Sequence, residues 1–171
     1  MSNTGHKSEA RSDNFIFTIG KSESLRYSVQ SSNITEVMLN QTNYPVRGKD
    51  LKIPSNKVEH SPLILDLVIS EDYSEWIEIY KWMLSCKNTP HDKIMNYMVP
   101  CELTAIDSQG KETARFIYTD CWPTSLEGVT LTIVDNDSQI VTANVTLNYN
   151  RFVIVDKDGN EITEDYVGYP G

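Results

Sequence analysis

Apolar residues recur along this chain mostly at every second position, the period of a strand with one buried face. Phe15, Phe17 and Ile19 alternate with Ile16 and Thr18 and stop at Gly20, which predicts a strand. Leu25, Tyr27 and Val29 alternate with Arg26, Ser28 and Gln30 and predict a second, half-exposed one. The same rhythm runs through Cys101–Ala105, Ala114–Tyr118, Val129–Ile133 and, most cleanly, Val141–Tyr149, with Phe152–Val155 extending it or opening another strand. Turn chemistry separates these runs: Asp107-Ser-Gln-Gly110, the Thr119–Gly128 stretch with Trp122 and Pro123, Asp135–Ser138, and Asp158-Gly159.

Two stretches break the rhythm. Ser61–Cys86 reads as one apolar strand running into the one clear helix. Leu63–Ile69 carries a single charge, Asp66, with Leu63, Leu65, Leu67 and Ile69 on one face and Ile64 and Val68 on the other. That pattern predicts a strand covered on both faces, with the following helix as the cover. The helix is expected over about 72–86, opened by Asp72 and Glu75 at capping-box spacing with Ser70 as competing cap. Tyr73, Trp76, Ile77, Tyr80, Met83 and Leu84 form its apolar stripe. Ile79 and Trp82 lie off that stripe; they either widen it or make a second contact, with a loop of this chain or with another subunit.

The second exception is 31–55. Ser31–Asn43 has no clear period, and Tyr44–Ser55 is punctuated by Pro45, Gly48 and Pro54, which fits a loop or an extended, loosely held hairpin. It gathers Arg47, Lys49 and Lys52 in an otherwise acidic chain. Taken together the pattern predicts a mainly β fold, an antiparallel sandwich or barrel of about seven or eight strands with one flanking helix.

Composition narrows this picture. A chain of 171 residues suits one domain that needs neither metal nor disulfide to fold. Residues 1–13 read as a disordered tail, 14–155 as the β domain, and 156–171 as an extension with a hairpin. No apolar run approaches the ~20 residues of a membrane span, and the polar start points to cytosolic synthesis. Cys86, Cys101 and Cys121 cannot all pair within one chain and lack metal-site spacing, so at least two are expected as buried free thiols. A net charge of −9 excludes a protein whose task is to grip nucleic acid, though not one that nucleic acid passes.

Candidate chemistry is sparse. Asp156-Lys-Asp158-Gly-Asn160 starts like a calcium loop, but its glycine falls at the fourth place instead of the sixth and Val167 stands where the closing glutamate belongs, so a hairpin turn is the better reading. Asp135 and Asp137 read the same way. His6, His60 and His91 are far apart in polar stretches. Cys121 beside Trp122 is the one tempting nucleophile, in a context that suits a packed turn. No catalytic motif, metal or cofactor is implied. The Arg47–Lys52 cluster reads best as an electrostatic docking surface for an acidic copy of the same chain.

Two segments, SPLILDLVISEDYSEWIEIYKWM and CWPTSLEGVTLTIVDNDSQIVTANVTLNY, resemble the tail tube proteins of contractile-tailed bacteriophages. That superfamily extends to baseplate-proximal tube proteins and to the Hcp rings of type VI secretion. The likeness runs over about 15–150; the W-P-T turn with the last strand pair is its most specific part. It implies a virion structural protein, not an enzyme, that forms hexameric rings stacked into a tube. Sheath, baseplate and tape-measure proteins would be its partners, and DNA would pass without specific binding. It also implies that Tyr44–Ser55 lies where the family places a loop touching other subunits. Tyr44, Val46, Arg47, Lys49, Leu51, Lys52, Ile79 and Trp82 are therefore the expected subunit contacts. A baseplate or tube-initiating paralogue is the alternative, and a sugar-binding β-sandwich using Trp76, Trp82 or Trp122 is the alternative from another class.

Overall fold

The computed structural model describes residues 13–20, 25, 29–133 and 140–167. Its strands are β1 (Phe15–Ile19), β2 (Val29–Ser32), β3 (Val37–Val46), β4 (Lys49–His60), β5 (Leu63–Val68), β6 (Val99–Ile106), β7 (Glu112–Leu126), β8 (Thr142–Asn148), β9 (Arg151–Val155) and β10 (Glu161–Ile162). The helix α1 (Ser74–Asn88) and a short 3₁₀ segment, His91–Tyr97, join β5 to β6.

All strand pairs are antiparallel. The 15-residue β7 ties them together. Its first half lies between β6 and β9, with Phe116 opposite both Leu103 and Ile154. Its second half pairs with β8, Trp122 opposite Asn148 and Leu126 opposite Val145. Asp120, at φ 55°, marks the change of partner. One strand thus belongs to two sheets, β1-β6-β7 continued by β9 and β10, and β7-β8-β5-β2. Their inward residues form one core: Leu63 and Leu65 of β5 stand beside their partners Leu147 and Val145 of β8, and with Leu67 and Tyr118 of β7 they are all fully buried. Each buried leucine side chain contributes on the order of 1.5–3 kcal/mol relative to exposure.

Most of the period-two runs are strands, with informative departures. The second face of β5 is not covered: Ile64 is 48% exposed, because α1 packs against β7 and leaves that side of β5 open. The Thr119–Gly128 stretch does not turn; strand β7 runs through it to Leu126. Pro123, lacking an amide donor, is accommodated beside a register shift. Conversely Val129–Ile133 is no strand: Leu131 and Ile133 lie in solvent. The expected turn at Asp135–Ser138, with the Asp135–Asp137 pair, lies outside the described residues. Leu25 is helical and buried, not part of a strand, and β2 spans Val29–Ser32; residues 26–28 lie outside the described residues.

The helix starts differently from the capping-box reading. Tyr73 is left-handed at φ 57°. The Ser70 amide donates to Glu75 Oε2 at 2.9 Å, the Ser70 hydroxyl donates to Glu75 Oε1, and the Ser74 amide donates to Asp72 Oδ1 at 3.2 Å. Holding these bonds turns Glu75 inward, where it is buried. The inward face of α1 therefore takes in Glu75, Trp76, Ile79, Trp82 and Met83, with Tyr73 packed at its start, while Ile77 and Tyr80 of the predicted stripe are 41% and 46% exposed.

Two hairpins close with the same device. In the β6–β7 turn, Asp107 Oδ1 accepts the amides of Gln109 and Lys111; in the β9–β10 turn, Asp156 Oδ1 accepts those of Asp158 and Asn160. A glycine with positive φ completes each, Gly110 at 78° and Gly159 at 84°. The Asp156 loop is therefore built as a turn stapled by its own carboxylate.

Candidate assembly surface

The β3–β4 hairpin stands apart from this body as a two-stranded sheet of its own. Its tip is a two-residue turn, Arg47-Gly48, both at positive φ (40° and 79°), the geometry that matches the twist of the flanking strands. Glycine takes the second place without a steric cost; Arg47 bears the strain of the first. The loop expected over Tyr44–Ser55 is thus the outer half of a hairpin that spans Val37–His60.

Cross-strand partners share a face. Val46 opposes Lys49, Tyr44 opposes Leu51 and Thr42 opposes Ile53 on one side; Pro45 opposes Asp50, Asn43 opposes Lys52 and Gln41 opposes Pro54 on the other. The first side is an apolar strip left in water: Tyr44 is 59% exposed, Leu51 56%, Val46 46% and Ile53 38%. Among the described residues no other element covers it.

Where the ribbon joins the body, the root is well bonded. The hydroxyls of Thr35 and Tyr149 both reach the Ser61 carbonyl, at 2.6 and 2.8 Å, and each other. Ser61 Oγ accepts the Glu36 amide at 2.8 Å, and Asn33 Oδ1 accepts the Ile64 amide at 2.7 Å. The His60 ring packs at the Tyr149 and Phe152 rings, centroids 6.5 and 5.5 Å away. Burial pushes the Tyr149 phenol above its ordinary range, partly offset by the bond to Thr35.

Six of the eight expected contact residues come together here. Tyr44, Val46, Lys49 and Leu51 lie on the apolar side, Arg47 at the turn and Lys52 on the polar side. Ile79 and Trp82 are elsewhere. Ile79 is fully enclosed in this chain's core, and the Trp82 indole donates to the Tyr97 carbonyl at 2.7 Å. Sequence reasoning missed Ile53, which the 49–53 alternation marks but Pro54 obscures. It also missed Val37, Met38, Leu39 and Val58, all more than 40% exposed.

Nothing comparable gathers for catalysis. Among the described residues no group of three or more His, Cys, Asp or Glu could hold a metal. Cys101 and Cys121 are buried free thiols and Cys86 is half-buried. The Cys121 thiol donates to the Tyr118 carbonyl at 3.4 Å, and its contact with Cys101, together with burial, holds the Cys101 thiol well above its ordinary range. His60 and His91 lie apart and His6 is outside the described residues. Trp76, half-buried, donates its indole N–H to the Glu127 carbonyl at 3.0 Å and stacks on Tyr80. No described helix is long and apolar enough to cross a membrane.

A family model described as T4-like virus tail tube protein gp19 matches residues 14–153. The tail tube terminator protein of Enterobacteria phage T4 is 24% identical over 172 residues, covering 87% of this chain and 96% of that protein. The tube-terminating cap of the anti-feeding prophage, solved by cryo-EM, superimposes with a TM-score of 0.70 at 15% identity, over 91% of this chain and 99% of the other. An Hcp protein does so with a TM-score of 0.55 at 13% identity, over 90% and 99%. At these identities the structural likenesses speak for the fold.

Proposed function

The chain belongs to the T4-like virus tail tube protein gp19 family, and from that premise we propose that it forms the ring that ends the tube of a contractile tail. Membership makes it a tail tube or terminator-type structural protein, a component of the tail and not an enzyme. The finer reading, a terminator, draws on the T4 relative and on the likeness to the anti-feeding prophage cap. The end of the tube away from the baseplate is a position that sequence reasoning, weighing main tube against baseplate, did not consider.

In this reading copies of the chain close into a six-membered ring and the ring seats on the last ring of the tube. The sheath is its outer neighbour, and DNA and the tape measure pass through the hole. A net charge of −9 suits a wall that phosphate slides past. The observation that carries self-assembly is the ribbon. An exposed apolar strip on a single projecting element is a surface that stays unfinished in the isolated chain.

Light scattering with negative-stain microscopy of the purified chain, alone and with tube or sheath components, tests the ring. Closed rings are expected; a chain that stays monomeric at high concentration with those components present overturns it. Immunogold labelling of intact tails tests position. One labelled end, away from the baseplate, is expected. Label along the tube favours an ordinary tube subunit, the second reading, which the family description itself supports. Label at the baseplate favours the initiating paralogue.

A further inference from the structure

The ribbon's exposed apolar residues are not all on one side. In the outer half, Tyr44, Val46, Leu51 and Ile53 share a face. Nearer the root, Leu39 opposes Val58 and Val37 opposes His60. Between the Leu39–Val58 pair and the Gln41–Pro54 pair the register shifts, β3 advancing two residues and β4 four. Both steps are even, so neither strand exchanges its faces there. Leu39, Val58 and Val37 therefore stand on the side of Gln41, Asn43 and Lys52, opposite the outer strip. They are 59%, 41% and 53% exposed. Behind them, on the strip's own side, Met38 is a single exposed apolar residue opposite Glu59, and Glu59 is tied to Lys57 at 3.0 Å and to Asn40 at 3.0 Å, so that side turns mostly polar and charged toward the root.

The ribbon thus carries two apolar patches on opposite faces. From Leu39 to Tyr44 they are offset by roughly 17 Å of strand. A single flat surface cannot cover both. We infer that each ribbon is gripped from both sides by copies of this same chain, the outer patch against one neighbour and the root patch against another. This rests on the self-assembly reading above. Charge selects the occupant. Residues 37–60 carry Arg47, Lys49, Lys52 and Lys57 against Asp50 and Glu59, net +2, in a chain whose total is −9. The remainder is net −11, so the body of another copy is the oppositely charged surface a basic ribbon meets.

The test places a photo-crosslinking amino acid at Tyr44 or at Leu39 in the full-length chain and maps the linked peptides by mass spectrometry after assembly. The two positions are expected to link to different peptides of the body. In parallel, Leu51→Asn and Leu39→Asn keep the charge and remove one patch each, with Gln41→Asn as control. Each leucine variant is expected to self-associate about ten-fold more weakly, as loss of one buried leucine implies, with its monomer fold unchanged by circular dichroism. Leu39→Asn assembling like the unsubstituted chain while Leu51→Asn fails overturns the two-sided grip and leaves self-assembly standing. Links from both positions to one peptide overturn it too. An unsubstituted chain that stays monomeric overturns both.

Discussion

The body and the ribbon are written in the same alphabet and come to opposite ends. Both alternate branched and aromatic residues with polar ones. In the body the inward set is covered within the chain: Leu65, Val145 and Leu147 lose all contact with water. In the ribbon the same period produces strips of residues 38–59% exposed, because among the described residues no second layer lies over β3 and β4. Alternation states which side of a strand wants cover. It does not state whether the cover comes from the same molecule.

The sharpest way to break the contrast is in the core. Leu65→Ala is expected to cost about 2–5 kcal/mol by chemical denaturation, since it removes buried carbons and leaves a cavity; a loss below about 1 kcal/mol would mean the body is not the closed unit described. Tyr149→Phe probes the joint between the two regions. It is expected to cost about 1 kcal/mol, for the bond to Ser61, and to speed amide exchange at the root of β3 and β4 while leaving β5 and β8 protected. Uniform exchange changes would dissolve the distinction.

Leu51→Ser, in the ribbon, is expected to shift monomer stability by less than about 0.5 kcal/mol, a leucine already in water having little to lose. A core-sized loss would show a cover inside the chain. The smallest effect is at Asp156. The Asn160 side chain and nearby amides hold its carboxyl below the ordinary range. A folded value below the unfolded one stabilises the fold above about pH 4 and is lost as pH falls through the folded value. Asp156→Asn is therefore expected to flatten the acid limb of the stability curve; an unchanged limb would show that the bonds do not hold in solution.

Much of this was legible in residue order. Strands β1, β6 and β8 follow directly from period two, β5 from its unbroken apolar run, and the family resemblance drawn from the second strand-rich segment agrees with the family model. The helix was legible in place and partly in rotation: Tyr73, Trp76 and Met83 of the expected stripe pack on the core, while Ile77 and Tyr80 do not. Glu75 reads as the capping-box partner of Asp72 until its bonds to Ser70 are seen, and with those bonds Ile79 lies inward and Ile77 outward. Pro123 and Gly128 read as a turn because local chemistry cannot report that one strand changes partners mid-course. Val129–Ile133 has strand chemistry and yet forms no strand among the described residues. In the candidate surface the basic tip was found through its punctuation. Of the apolar strip beside it, Tyr44, Val46 and Leu51 were named, but Ile53 and the apolar residues nearer the root were missed, since Pro54 interrupts the count that would have revealed Ile53 and Ser31–Asn43 shows no clear period.

The shared strand has a mechanical consequence. Because β7 is hydrogen-bonded into both sheets along its length, the sheets cannot slide past each other without tearing one of its ladders. The body behaves as a stiff brick. The ribbon, two strands wide and, among the described residues, fastened at its foot, is the lever that bends. Any load arriving through a neighbour is taken up first in that lever, and the brick keeps its shape.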